Sequence, residues 1–303
     1  MDLLTSMKVF RRVAEAGSFS AVARESHMSQ PTVSKLVAAL EAHLETKLFS
    51  RSTRLLKLTE SGNDYYDYCT RILDDIAEAE LSVRRGQTFP TGTLRISATA
   101  TFGRLFILPF LWDFLSEYPD LSVDMILEDR YVDLVKEGVD MAVRVGPLAD
   151  SSMIAQKIGE SERVIVASPD YLDARGEPDT ITDLADHDCL LYSLQNAPRE
   201  WEFRTPAGIE KVRVNGRFSA TNPEAIGEAT LAGLGISVVM LWSARDHIEQ
   251  GRMKIILADY KPTPYEVHAV YPERRFVPQK VRKLIEHLRS HYAKHYPLVS
   301  SIE

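Results

Sequence analysis

Ser29-Gln30-Pro31-Thr32-Val33-Ser34-Lys35-Leu36-Val37-Ala38-Ala39-Leu40-Glu41 reads as a helix with a marked start and two unlike faces. Ser29 is a good N-cap residue, and Pro31 is tolerated in a first turn, where amides lack intrahelical partners. The helix is expected to run to about Glu45. Val33, Val37 and Leu40 recur at helical spacing and set the core direction. At about 100° per residue, Pro31, Thr32, Ser34, Lys35 and Ala38 fall on or beside the opposite face. That face is small and polar, with one cation. Small side chains let a helix approach the major groove closely, while Gln, Ser and Thr can address base edges or phosphates. Gln30 offers an amide suited to adenine, and the helix N-terminus favours phosphate. A solvated surface is the plain alternative for any polar helix face, and the face alone does not decide.

Outward from this helix, Leu3, Met7, Phe10 and Val13/Ala14 predict a first helix closed by Gly17, and Ser18 caps a second, to Glu25, that buries Phe19, Val22 and Ala23. Ser26-His27-Met28 is a turn. Downstream, residues 48–59 read as a hairpin with Phe49, Leu56 and Leu58 inward and Arg51, Arg54 and Lys57 outward. Arg51, Thr53 and Arg54 suit phosphates or a narrow minor groove. Thr59 then caps a long helix to about Arg85. Its Tyr65, Cys69, Ile72, Ile76, Ala79 and Val83 stand 4, 3, 4, 3 and 4 apart, a heptad seam expected to pair with a second copy. Packing on its own domain is the alternative. Gly86–Gly92 carries Gly and Pro breakers and reads as a hinge.

From Thr93 the pattern alternates strand and helix, which implies an α/β sheet with crossover helices. The expected segments are strands at 94–98, 121–127, 141–145 and 267–271, and helices at 102–117, 131–137 and 277–292. The last buries Val281, Leu284, Ile285 and Leu288. Around 163–167 the chain passes into a second lobe that ends near Tyr265.

The 303 residues suffice for two or three domains. Hydrophobic residues at 45 % and charged residues at 26 % exclude disorder and fibre. No run approaches the roughly 18 apolar residues of a membrane span, and Met1–Thr5 opens no secretory signal, so the expected location is cytoplasmic, with no membrane partner. The net charge of −7 conceals an asymmetry. Residues 1–60 hold nine Lys+Arg against six Asp+Glu (+3), and residues 61–303 hold 27 against 37 (−10). A basic head on an acidic body fits DNA binding joined to a sensor. Cys69 and Cys189 lie far apart and are expected to be reduced.

Many coupled positions match one family. Phe10…Ala14…Gly17-Ser18-Phe19…Ala21…Ala23, Ser29-Gln30-Pro31-Thr32-Val33-Ser34…Leu40-Glu41 and Leu48-Phe49…Arg51…Leu58-Thr59…Gly62 resemble LysR-type transcriptional regulators. So do Asp140-Met141-Ala142-Val143-Arg144-Val145-Gly146 and Ala232-Gly233-Leu234-Gly235-Ile236. Ala167–Leu172 and Ala269–Pro272 are similar to one large branch. The resemblance implies an α/β chain with an all-α-type head: a winged helix-turn-helix over 1–59, a linker helix and hinge over 60–89, and a two-lobed effector domain over 90–303, resembling type II periplasmic binding proteins. Lobe I would comprise about 90–164 and 267–303, lobe II about 165–266. It implies double-stranded promoter DNA as partner, contacted from Ser29, Gln30, Pro31, Thr32, Ser34, Lys35, Arg51, Thr53 and Arg54. It also implies a dimer through the linker helix, commonly a dimer of dimers, with RNA polymerase as a candidate further partner. One departure stands at Met240, where the family usually has proline.

Ligands in open α/β sheets sit at strand carboxyl ends, near helix N-termini. Thr99-Ala100-Thr101-Phe102 and Thr221-Asn222 are two such places, with Asn222 a cap and Pro223 at the first helical position. Arg144 ends a strand and could pair with an anion, or with Asp129. Phe102, Tyr192, Trp201 and Met240 could supply apolar wall. Threonines at helix starts also serve simply as caps, and Trp201 also reads as core. The expected effector set is Thr99, Ala100, Thr101, Phe102, Arg144, Thr221, Asn222 and Met240, for a small organic anion.

An enzyme is not expected: Walker, GxSxG, HExxH and CxxC patterns are all missing from the sequence, and no cofactor is called for. His287, His291 and His295 share one helix face at metal-compatible spacing, but a solvated face is the expectation. A transport binding protein would need a leader. A sensor acting through protein contacts alone is the remaining alternative, and it predicts no salt-dependent DNA binding.

Overall fold

The computed structural model describes residues 2–51, 56–85, 90–148, 152–194, 199–205, 208–273 and 277–295. They form two compact units. The first is residues 1–94 with short strips at 118–123 and 278–280, and the second is the rest.

The first unit opens with α1 (Leu3–Ala16), α2 (Phe19–Glu25) and α3 (Gln30–His43). Asp2, Ser18 and Ser29 each accept a backbone amide at the N-cap, and Gly17 ends α1 at φ +60°. Strands β1 (Phe49–Arg51) and β2 (Leu56–Leu58) pair antiparallel, and α4 spans Glu60–Arg85. Phe10, Val13, Val22, Val33, Val37, Leu40, Leu48 and Phe49 make one core. Leu3 does not join it: at 41 % exposure it stands in the first turn of α1, where angular position alone does not guarantee a neighbour.

The expected seam of α4 also divides. Cys69 and Leu73 are buried in the core of this unit, with Tyr65 packed beside them, because the first turns of α4 lie against α1. Tyr68 and Ile72 are instead half exposed. The side chains of Ala79 and Val83 lie outside the described residues.

After α4 the chain forms β3 (Gly92–Ala98), α5 (Ala100–Phe102), a π-helical stretch (Gly103–Ile107), α6 (Leu108–Glu117), β4 (Leu121–Leu127), β5 (Met141–Val145) and β6 (Met153–Ser161). Across a one-residue step come β7 (Arg163–Ala167), α7 (Pro169–Arg175), β8 (Leu191–Tyr192), β9 (Glu200–Thr205), β10 (Gly208–Arg213), β11 (Ser219–Ala220), α8 (Pro223–Leu231), β12 (Ser237–Met240), α9 (Leu241–Glu249), β13 (Lys254–Ile255) and β14 (Lys261–Pro262). The chain returns through β15 (Tyr265–Pro272) and closes with α10 (Gln279–His295). A five-stranded sheet of order β4-β3-β5-β15-β6 makes one lobe. A three-stranded sheet, β12-β7-β13, centres the other, with smaller sheets around it. Parallel pairing of β3 with β5 beside antiparallel β15 makes the large sheet mixed.

Residues 131–137 do not form the expected helix. Tyr131–Asp133 take no regular structure and a single turn follows over residues 134–138: Asp133 accepts the Val135 and Lys136 amides at its start, and Gly138 ends it at φ +66°. The expected solvated histidine face is partly covered as well. His287 Nε2 lies 2.8 Å from the Phe110 carbonyl oxygen, and its ring packs on Phe114. The side chain of His295 lies outside the described residues.

Candidate nucleic-acid interface and ligand cleft

On α3 the apolar stripe faces the core and Gln30, Pro31, Thr32, Lys35 and Ala38 are exposed, with Ser34 half-buried. Ser29 is engaged as the cap: its Oγ accepts the Thr32 amide and lies 2.8 Å from Thr32 Oγ1. Arg51 ends β1, while Thr53 and Arg54 fall outside the described residues. One residue of this surface escaped the sequence reading. Glu41 is buried at 5 % exposure, accepts the Leu48 and Phe49 amides and pairs with Lys47 at 2.8 Å. Burial alone would raise its pKa, but these donors outweigh it and hold the carboxyl below its ordinary value. Glu41 thereby ties the exposed helix to the start of the hairpin. An acid beside Leu40 in a buried stripe was the available signal.

In the second unit a cleft opens between the lobes. A chamber of about 590 Å³ is walled by Phe102, Leu105, Ile226, Met240, Trp242 and Tyr265. A recess of about 60 Å³, holding Asp129, Tyr131 and Arg144, shares Thr99, Val145, Tyr192 and Tyr265 with it. Trp242 is fixed by its indole N–H to Ser161 Oγ at 2.8 Å and stands edge-on to Phe106. Trp201 is core of the second lobe instead. Gly146 makes room for the Tyr265 wall: it sits at φ +103°, and a Cβ there would lie 3.0 Å from the Tyr265 ring. Met240 lines the chamber at φ −69°, a backbone value that proline also adopts, so the departure changes the wall and not the turn.

Both expected helix starts are already engaged within the chain, that of α5 by the Asp129 carboxylate and that of α8 by its own cap, Asn222. Asp129 accepts the Ala100 amide at 3.2 Å and the Asn222 side-chain amide at 2.8 Å. Asn222 in turn caps α8 through the Ala225 amide. Glu224 accepts Thr101 Oγ1 and Arg104 Nη2, each at 3.0 Å, and these donors hold its pKa below the ordinary value. Thr101 is therefore a bridging residue, Thr99 caps without a side-chain bond, and Thr221 stands between β11 and α8 without a place in either chamber wall. Arg144 does not pair with Asp129. It is 7 % exposed, its Nη2 lies 3.5 Å from Ser97 Oγ, and its guanidinium carbon stands 5.7 Å from the Tyr131 ring centre. Tyr192, beside it, has its hydroxyl pushed up to about 12, first by burial and then by Asp129.

A model of the bacterial regulatory helix-turn-helix protein, lysR family, matches residues 4–63, and the LysR substrate binding domain matches 87–293. The chain belongs to the LysR family. It is 35 % identical over 298 residues to the HTH-type transcriptional regulator DmlR of Escherichia coli (strain K12), covering 98 % of this chain and 97 % of that one. The full-length structure of the Vibrio cholerae virulence activator AphB is similar at 30 % identity and a TM-score of 0.56, covering 95 % and 98 %. CrgA from Neisseria meningitidis is similar at 28 % and 0.56, covering 94 % and 98 %. This LysR-family chain is thus a transcriptional regulator with a DNA-binding helix-turn-helix and an effector-binding domain, as the sequence resemblance implies. Its relatives are regulators, not enzymes. No helix among the described residues is long and apolar enough to cross a membrane.

Proposed function

We propose that this LysR-family regulator binds promoter DNA through α3 and the hairpin and answers to a small organic anion in the interlobe cleft. The observation that carries the DNA reading is the exposed polar face of α3, opposite a fully buried apolar stripe. Gln30, Pro31, Thr32, Ser34 and Lys35 address the major groove, with Ser29 holding the helix start and Arg51, Thr53 and Arg54 at the backbone. Residues 1–59 are the head, 60–89 the linker and 90–303 the effector domain, in a cytoplasmic protein. Arg144 supports the anion reading, with Thr99, Ala100, Thr101, Phe102, Asn222 and Met240 shaping or bridging the cleft and Thr221 leading into the start of α8. Copies pair through α4, along the face that carries Tyr68 and Ile72, and pairs can join into tetramers. Effector binding reorients the lobes and changes the spacing of bound half-sites. RNA polymerase contact belongs to the same reading.

Fluorescence anisotropy on the DNA flanking this protein's own gene, in a salt series, tests the proposal. Nanomolar binding that exceeds binding to random DNA, weakens with salt and drops in Lys35→Ala and Arg51→Ala is expected. Binding no tighter than to random DNA across several promoters would favour a sensor acting through protein contacts.

A further inference from the structure

A guanidinium removed from water calls for a counter-ion or a full set of acceptors. Arg144 is more than nine-tenths buried, and no carboxylate lies within 4.0 Å of it among the described residues. Its contacts are the 3.5 Å approach to Ser97 Oγ and the face of Tyr131. Burial pulls its pKa below the usual arginine value. The nearby acids are committed elsewhere: Asp129 to Ala100 and Asn222, Glu224 to Thr101 and Arg104. The recess therefore carries one cation, Arg144, with no carboxylate within 4.0 Å among the described residues, and opens along shared walls into a chamber about ten times larger. Where the chamber adjoins the recess its wall is formed by Val145, Tyr192 and Tyr265, with Arg163 stacked on the Tyr265 ring at 3.9 Å and donating to the Thr263 carbonyl.

We propose that the cleft of this regulator takes an organic monocarboxylate with an aromatic or branched apolar body, its carboxylate paired with Arg144 and its body in the chamber of about 590 Å³. The inference rests on the reading of the cleft as an effector site and names the class that the site selects. Arg144 presents a planar fork that matches a carboxylate in two parallel hydrogen bonds. The Tyr192 hydroxyl stays protonated at neutral pH and can serve as a donor on the same recess wall. Phe102, Ile226, Met240, Trp242 and Tyr265 give the body an apolar surround. Asp129 on the recess wall repels a second carboxylate placed close to the first, whereas the chamber wall mixes Glu224, already paired with Arg104, with Arg163. A short diacid would also leave most of the chamber to water. The site thus selects against short diacids and against small hydrophilic acids.

Isothermal titration of the full chain with 3-phenylpropanoate, 3-phenylpropanamide, propanoate and succinate tests the class. The aryl acid is expected to bind about ten- to a hundredfold more tightly than its amide, the worth of a charge-assisted hydrogen bond. Propanoate and succinate should bind more weakly still. Arg144→Gln should bring the acid down to the amide and leave the amide unchanged, and Arg144→Lys should fall between. If Arg144→Gln fails to fold, Arg144→Lys reads the same difference. Met240→Gln should weaken acid and amide alike. Equal binding of acid and amide, indifference to Arg144, succinate as the tightest ligand, or no binding by any of the four would each overturn the proposal. Promoter binding read in parallel separates the two failures: DNA binding with these ligand results reversed removes the class and leaves the regulator, while the expected ligand results without DNA binding remove the regulator and leave the class.

Discussion

The Asp129 carboxylate accepts the Asn222 side-chain amide at 2.8 Å, one residue from each lobe. Its other oxygen takes the Ala100 amide, so one side chain both caps a helix start and bridges the cleft. Asp129→Ala removes two bonds at a half-buried site and should lower stability by about 1–2 kcal/mol. For a unit of this size that is a fall of roughly 2–8 °C in the melting temperature. A calorimetric scan unchanged within 1 °C or so would show that the bridge holds nothing together.

Glu41 should make the DNA-binding unit acid-sensitive. Its folded pKa lies below its ordinary value of 4.5, so its contribution is present above about 4.5 and lost as pH falls through the folded value. Glu41→Gln should be less stable at pH 7 and lose less on acidification to pH 3. Circular dichroism melts of both proteins across that range check the sign, and parallel curves would refute it.

Gly146 is held at φ +103° against the Tyr265 ring. Gly146→Ala places a side chain in a backbone region that L-residues rarely adopt, at an expected cost of about 1–3 kcal/mol. Denaturant unfolding with an unchanged slope and a lower midpoint is the expected readout.

Ile72 is 45 % exposed and Tyr68 is 49 % exposed, one turn apart on α4. Ile72→Glu should weaken self-association by about tenfold or more while leaving the melting of the head unchanged, since the residue takes no part in its core. Sedimentation of wild type and variant over a dilution series measures this, and identical profiles would place the pairing face elsewhere.

Cys69 and Cys189 are buried, and burial pushes both thiols up to about 12. At pH 8 about one thiol in ten thousand would be ionised. Neither should react with a disulfide reagent in the native protein within minutes, and both should react once unfolded. Rapid labelling of the folded chain would contradict the burial.

The head was legible because its signals are local. Ser18 and Ser29 cap helices through their own third neighbours, Gly17 closes α1 where only a residue free of Cβ strain sits easily, and Val33, Val37 and Leu40 face the core by periodicity alone. The strand–helix alternation likewise announced the large sheet, with residues 121–127 and 141–145 falling as strands where expected. Residues 131–137 misled because the sequence pattern does not show that the turn begins only at Asp133, which caps it through the Val135 and Lys136 amides, and is ended after one turn by Gly138.

What the sequence by itself determined is therefore the family, the order of elements and the inward and outward faces of the short helices, all set by neighbours three or four residues apart or by many coupled motif positions. Tertiary structure alone decided which polar groups are already satisfied. Asp129 and Asn222 are 93 residues apart and Thr101 and Glu224 are 123 apart, and no local pattern encodes such meetings. The Asp129 pairing occupies the start of α5 and fixes the cap of α8, and Arg144 is left buried with no carboxylate within 4.0 Å among the described residues. The physical reason is that hydrogen-bond capacity is finite: a site is open only where folding has not already spent it.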